Sequence, residues 1–266
     1  MIGLPLLLVL LSGVAVDDAV TGPRLEQMLE DGEDVLIVQT FQRHPTQVLS
    51  FIDGYLEGGL KMIEEGEDGE TAQDSLRTGV LFGELASVAF GDDVFLEYAA
   101  SFASWSPKEQ QNFRLGQREY REGRELEEKD AAGALAKFRS SYKLANALHD
   151  TWGRAMAAGG LARAHRALGE NRAAQAWARH GAELYRRVRL EDNEIALLVL
   201  SIDLLDVEEP RRREIDDVAR AWTLLKERPR DETNRQKVLE TYRAFLRQAG
   251  RTDEAESLDQ EVLLPE

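Results

Sequence analysis

The chain has 266 residues, of which 43% are hydrophobic, and its formal net charge is −16. This hydrophobic content is sufficient for a packed core and excludes a globally disordered chain. There is no cysteine, so disulfides, thiolate zinc sites and cysteine nucleophiles are excluded.

The negative charge is concentrated in the first part of the chain. Residues 1–106 contain four basic and 19 acidic residues, whereas residues 107–266 contain 29 and 30. We interpret the shift near Ser106 as a boundary between an acidic N-terminal region, 17–106, and the rest of the chain. Phosphate binding needs clustered lysine and arginine, so we do not expect nucleic acid as a partner. The acidic region favours either simple solubility or docking on a basic partner.

The first residues have the pattern of a signal peptide. Leu4 to Val16 is an apolar run that is too short to span a bilayer, which needs about 20 residues. Ala15 offers a small residue for cleavage, although the residues before the run include no lysine or arginine. We therefore expect residues 1–16 to be removed, leaving a periplasmic or secreted protein with no membrane span. The alternatives are a buried N-terminal element in a cytoplasmic protein, or an uncleaved anchor.

The region 17–106 is predicted to be helical. A short helix is expected from Arg24 to Gly32, and the apolar residues Val35 to Val38 fit either a strand or a helix. Thr46 is a candidate N-cap for an amphipathic helix that ends near Gly66. Two further helices are expected within 71–104, which we interpret as a degenerate helix pair.

The segment that begins at Ser106 carries a strong helix start. Ser106 is placed to cap, Pro107 suits the first turn, and Glu109 stands where a capping box needs it. Apolar periodicity then predicts helices to the end of the chain. These cover 107–128, 131–148, two helices in 151–188, 193–207, 214–227, 233–249 and 252–262.

One spacing of residues occurs twice in this second part. The first set is Ala158, Leu161, His165, Gly169 and Ala174, and the second is Leu239, Tyr242, Leu246, Gly250 and Ala255. Equal spacing with different side chains is typical of helical repeats. The pattern resembles the tetratricopeptide repeat (TPR) family. That resemblance implies an all-α fold, a right-handed α-solenoid of TPR-like helix pairs over 107–266, with a helical N-terminal region and a polar C-terminal capping helix.

The repeats are longer than those of the family, whose unit is about 34 residues. Small or apolar anchor residues of the second helices are Leu96, Ala134, Ala174, Ala219 and Ala255, at intervals of 38, 40, 45 and 36. Lengthened repeats are common in bacterial arrays of this kind. The aromatic positions of the family are occupied by other residues, and the Lys/Asn clamp of its chaperone-binding members is absent.

Catalysis has no support in the sequence. Phosphate-binding glycine loops are absent, and the four histidines lack metal-ligand spacing. His149, next to Asp150, is expected at a helix end, where a histidine complements the dipole, rather than as a catalytic base. His165 is expected to be a packed, hydrogen-bonded core residue. We expect no enzyme, cofactor or metal; a hydrolase with its site in the acidic region is the remote alternative.

The resemblance implies a concave groove, lined by the first helix of each pair, in which a partner peptide lies. Helical periodicity assigns to this groove Gln117, Tyr120, Arg124, Met156, Arg163, Arg166, Lys237, Glu240 and Arg247. Its arginines are suited to bidentate binding of peptide carboxylates, or they form ion pairs on a solvated face. We therefore expect a non-catalytic scaffold or adaptor for a peptide or protein partner. A self-associating structural component is the alternative.

Overall fold

The computed structural model describes residues 21–67, 69–205, 212–226, 228 and 231–263. These residues form thirteen α-helices and one short 3-10 turn, with no β-strand among them. The all-α expectation is therefore confirmed. The expected signal peptide, residues 1–16, lies outside the described residues.

The helices follow one another with short connections. Their bounds are α1 Gly22–Glu30, α2 Asp34–Arg43, α3 Val48–Glu65, α4 Gly69–Phe90, α5 Val94–Ala103, α6 Pro107–Leu126, α7 Ala131–Ala147, α8 Thr151–Ala167, α9 Asn171–Arg187, α10 Glu191–Asp203, α11 Arg212–Leu225, α12 Glu232–Gln248 and α13 Thr252–Leu263. Helices pack mainly on their neighbours in the chain; in addition, α2 packs on α4, α3 contacts α5, α6 contacts α8, and α10 contacts α12. This is the packing of consecutive helical hairpins.

The C-terminal hairpins repeat at a nearly constant interval. Their second helices, α7, α9, α11 and α13, begin at Ala131, Asn171, Arg212 and Thr252. The first helices α8, α10 and α12 begin at Thr151, Glu191 and Glu232. In both series the starts are almost evenly spaced along the chain. The two sets of equally spaced residues in the sequence therefore belong to equivalent parts of a regular array.

Two of the expected anchor residues are corrected by the structure. The fourth residue of each second helix is buried, and these residues are Ala134, Ala174, Ile215 and Ala255. Ala219 and Leu96, which were expected to be anchors, are only half-buried. The repeat pattern favours small residues, so it selected Ala219. The buried position is instead occupied by the larger Ile215, which lies one turn earlier. With Ile215 as the anchor, the uneven intervals become regular.

Four connections share one backbone turn, two between hairpins at His149 and Arg189 and two within hairpins at Gly169 and Gly250. His149, Gly169, Arg189 and Gly250 have φ values of 55°, 75°, 60° and 73°. In each turn the next residue donates its backbone N–H to a carbonyl five residues back, at 2.8 to 3.0 Å. This is the Schellman arrangement, in which a left-handed residue ends a helix. Glycine adopts it freely, whereas His149 and Arg189 adopt it at a cost.

Side-chain caps account for the starts of α6, α7 and α8, whereas the N-cap residues of α2, α3, α5, α9, α10 and α12 make no side-chain cap hydrogen bond. The expected capping box at Ser106 is confirmed, because its N–H donates to Glu109 Oε2 at 2.8 Å and its Oγ accepts from the Glu109 N–H. Val35 to Val38 lie in α2. The N-cap prediction for Thr46 is wrong: Pro45–Gln47 is a 3-10 turn, and α3 begins at Val48. The proline starts this turn early and moves the helix start past the threonine.

The apolar core continues across the charge boundary at Ser106. The rings of Phe102 and Trp105 have centroids 4.2 Å apart, and Phe113 of α6 lies 5.1 and 4.9 Å from them. Trp105 Nε1 also donates to the Leu148 carbonyl at 3.3 Å, at the end of α7. The acidic helices and the repeated hairpins therefore share packing at this point.

Candidate functional site

A cavity of about 480 Å³ lies where α3, α5, α6, α7 and the start of α8 meet. Its volume falls in the range of small-ligand and side-chain pockets. Aromatic side chains form much of its wall, and these are Tyr98, Phe113, Tyr120 and Trp152. Carboxyl groups reach it from α3 and from the α7–α8 turn.

Asp53 of α3 is held in the cavity by a hydrogen bond from Tyr98. The Tyr98 hydroxyl donates to Asp53 Oδ1, and the tyrosine itself is buried. Burial raises the pKa of Asp53 to about 7, and the neighbouring carboxyl groups of Glu57 and Asp150 add to this, although the Tyr98 hydrogen bond opposes it. This carboxyl group is therefore partly protonated near neutral pH.

Asp150 is the N-cap of α8 and is only 5% exposed. Its Oδ1 accepts the backbone N–H of Gly153 at 2.7 Å. Burial raises the pKa of Asp150 to about 6, against the lowering by this hydrogen bond and by Arg154. A side chain at position 153 would collide with the carboxylate, so glycine there allows the cap to form.

Glu57, the third acid, is neutralised within the protein. Arg114 Nη1 donates to Glu57 Oε2 at 2.6 Å, and Gln117 Nε2 donates to Oε1 at 2.6 Å. The same guanidinium donates to both carboxylate oxygens of Glu64 at 2.8 and 3.0 Å. This network joins α3 to α6, and the single guanidinium of Arg114 pairs with two carboxylates.

Two polar side chains in the cavity wall have no hydrogen-bond partner among the described residues. Ser141 of α7 is only 4% exposed, and its hydroxyl bonds to none of them. Asn112 of α6 is half-buried and also lines the cavity, and its side-chain amide makes no hydrogen bond to a described residue. The polar atoms of both side chains keep some exposure and are available to a ligand in the cavity.

The structure brings together three of the residues that were expected to line a groove. Gln117, Tyr120 and Met156 all line the cavity, from α6 and α8. Arg124 and Arg163 lie elsewhere and converge on Glu127, at 3.4 and 2.8 Å. These two guanidinium groups bind a carboxylate of the chain itself.

The remaining expected groove residues are distributed over the C-terminal hairpins. Arg166 is exposed in the last turn of α8. Lys237 forms an ion pair with Asp203, and Arg247 and Glu240 are exposed on α12. Helix α12 packs on α10, α11 and α13. None of these residues lines the cavity.

The two histidines singled out in the sequence have structural surroundings. His165 is buried, and its Nδ1 lies 2.5 Å from Glu170 Oε2, as expected for a hydrogen-bonded core histidine. His149 is exposed in the α7–α8 turn. Its neighbour Asp150 reaches the cavity instead.

Sequence reasoning missed the acids of the cavity. Asp53 and Glu57 are two among many carboxylates in the N-terminal region, and no local spacing distinguishes them. Asp150 carried one signal, because an aspartate just before a helix is a candidate N-cap. Ser141 carried none.

Comparison of the chain with models of known families and with curated proteins found no match. No described helix is both long and apolar enough to cross a membrane. Across the ranges that the structure describes, no three potential metal-binding side chains cluster.

Proposed function

We propose that the protein is a non-catalytic interaction scaffold that binds a segment of a partner protein in the cavity between α3, α5, α6, α7 and α8. The observation that supports this most directly is the cavity itself, with its aromatic wall and its polar groups that lack a partner among the described residues. A cavity with an apolar wall and a few polar groups is the usual form of a binding site.

We also propose that the hairpins are lengthened TPR-like repeats in a right-handed solenoid. The nearly constant interval between hairpins and the repeated left-handed turns support this proposal. In such an array the first helices supply the binding surface. Gln117 and Tyr120 of α6 and Met156 of α8 are in keeping with that arrangement. Export of the mature chain, based on Leu4 to Val16, is part of the same proposal.

A hydrolase is the second candidate, and the raised pKa values of Asp53 and Asp150 favour it. Carboxyl groups with raised pKa values in a cavity are typical of acid catalysts. Both groups, however, already serve the fold, because Asp53 accepts from Tyr98 and Asp150 caps α8. We therefore prefer binding. Turnover on a panel of ester, glycoside and peptide substrates that is lost in Asp53→Asn would reverse this preference.

A peptide selection tests the proposed function. A phage-displayed library of random peptides is selected on the full chain, and enriched peptides are measured by fluorescence anisotropy against two methionine variants. Met156→Ala removes a side chain from the cavity wall, whereas Met62→Ala removes one from α3 outside it. We expect roughly tenfold weaker binding for Met156→Ala only. Equal binding by both variants would move the interface away from the cavity.

Self-association is tested on the same preparation. Sedimentation velocity over a range of protein concentrations separates the scaffold from an assembly component. A scaffold keeps one sedimentation coefficient. A coefficient that rises with concentration would favour the structural alternative.

A further inference from the structure

The cavity contains one half-buried acid, Asp53, and one buried acid, Asp150, and neither has an ion-paired cation in the described part of the chain. Neither Asp53 nor Asp150 forms an ion pair with any residue in those ranges. Arg114, whose charge acts on Asp53, is already bound to Glu57 and Glu64. A carboxylate away from water and without an ion-pair partner is costly, and Arg114 and Arg154 act on Asp53 and Asp150 only from beyond ion-pair distance.

Arg121, the one cation among the described residues of the cavity wall, does not form an ion pair with either acid. Its side chain is exposed, and water and salt screen the charge of an exposed guanidinium. The acids inside therefore remain available to a positively charged ligand that reaches them through the opening.

The other wall groups also favour a cationic ligand. Tyr120 and Trp152 line the cavity, and aromatic rings attract ammonium and guanidinium groups; the ring of Phe113 already has the Arg114 guanidinium 5.5 Å from its centroid. The Ser141 hydroxyl and the Asn112 side-chain carbonyl, which bond to no described residue, accept hydrogen bonds from N–H donors. An anionic ligand would meet three carboxyl groups here. The wall is therefore complementary to an organic cation with several N–H donors.

We propose that this cavity binds the side chain of a lysine or arginine that a partner polypeptide presents. Asp53 and Asp150 pair with the charged head, the aromatic rings contact the apolar stem, and Ser141 accepts one N–H. The polypeptide origin of the cation rests on the proposed function, whereas the cationic chemistry rests on the cavity alone. The overall charge of −16 favours the approach of a basic partner.

Binding of this kind depends on pH, because both acids must ionise to pair with the cation. The groups that face Asp53 are Tyr98, Glu57, Asp150 and Arg114. Those acting on Asp150 are Arg154, Glu57 and the backbone N–H groups of 152 and 153. Burial is the main cause of both raised pKa values, and a bound cation opposes its effect. Affinity therefore rises between pH 5 and pH 8.

A titration of the full chain with single amino-acid amides tests the cationic chemistry. The probes are N-acetyl-arginine amide and its neutral isostere N-acetyl-citrulline amide, and the readout is the indole N–H signal of Trp152 in ¹⁵N spectra. Trp152→Phe assigns that signal among the four tryptophans. We expect a saturable shift with arginine at pH 8, weaker binding at pH 5, and no shift with citrulline.

Isosteric variants test whether Asp53 and Asp150 are responsible for the binding of the arginine amide. Asp53→Asn keeps an acceptor for Tyr98, and Asp150→Asn keeps an effective N-cap, so both variants are expected to fold. Each should weaken arginine binding roughly tenfold or more. Glu84→Gln, an exposed acid of α4, is the matched control and should leave binding unchanged. Equal shifts with citrulline, or full binding by both aspartate variants, would overturn the proposal.

The peptide selection separates this inference from the proposed function. Enriched peptides with no lysine or arginine would overturn the inference and leave the scaffold function in place. A Trp152 shift with arginine, but no enriched peptide, would support the cationic site and contradict a polypeptide ligand. Putrescine that binds as tightly as the arginine amide would likewise identify a free cation as the ligand.

Discussion

Close packing surrounds Phe138 of α7, and it makes Gly160 intolerant of a side chain. The fully buried ring of Phe138 lies between Gly123 of α6 and Gly160 of α8. A Cβ at Gly160 would stand 2.5 Å from Phe138 Cδ1, and one at Gly123 would stand 2.8 Å from Cε1. Carbon atoms in contact normally lie about 3.5 Å apart or more. Gly160→Ala therefore forces the ring or a helix to shift by roughly 1 Å.

The magnitude follows from two opposing effects. Overpacking of a core costs about 1–3 kcal/mol. Replacing glycine by alanine inside a helix gains about 1 kcal/mol. We expect Gly160→Ala to lower the free energy of unfolding by about 1–2 kcal/mol. Gly54→Ala on α3 is the control, because no atom lies within 4 Å of its Cβ position. It should raise the free energy of unfolding by up to about 1 kcal/mol.

Urea unfolding followed by far-UV circular dichroism measures both variants. A second change tests the cause, because Phe138→Leu removes the atoms that the new methyl group would meet. In the Gly160→Ala background this change should cost less than it does in the wild type. Gly160→Ala with the stability of Gly54→Ala would refute the close packing around Phe138.

Three further changes test other features. Asp53→Asn should raise the free energy of unfolding by roughly 1–3 kcal/mol at pH 8 and leave it unchanged near pH 4. Burial raises the pKa of Asp53 from 3.8 to about 7 in the folded protein, so the wild type loses stability as the pH rises between these values. Urea midpoints at both pH values measure the difference. His149→Gly should stabilise by about 1 kcal/mol, because its φ of 55° favours glycine; an unchanged thermal midpoint would contradict the strain. Arg163→Glu should lower the melting temperature by several degrees, because it sets a second carboxylate against Glu127, whereas exposed Arg166→Glu should not; equal midpoints would exclude this role.

Local sequence signals were sufficient for most of the fold. The two helices expected within 71–104 correspond to α4 and α5, and the Ser106 capping box formed as predicted, because periodicity and capping depend on residues near one another in the chain. The anchor of α11 could not be identified in this way, since a buried isoleucine and a half-buried alanine one turn apart look alike in sequence. Which of them faces the neighbouring helices is decided by tertiary packing.

The site was only partly predictable for the same reason. Helical periodicity assigned Gln117, Tyr120 and Met156 to a concave groove, and in the structure they line the cavity. Asp53, however, accepts its hydrogen bond from Tyr98, which is 45 residues away, and its raised pKa comes from burial by other helices. No spacing within one helix reports such a contact.

The position of the cavity also divides the molecule into a part that can change in length and a part that cannot. Helices from α3 to α8 all contribute to the site or hold its walls, so losing or inserting one hairpin there would destroy it. Beyond α9, each hairpin contacts mainly its neighbours. Duplication or deletion of whole hairpins in that part would alter the length of the array and leave the residues of the cavity unchanged.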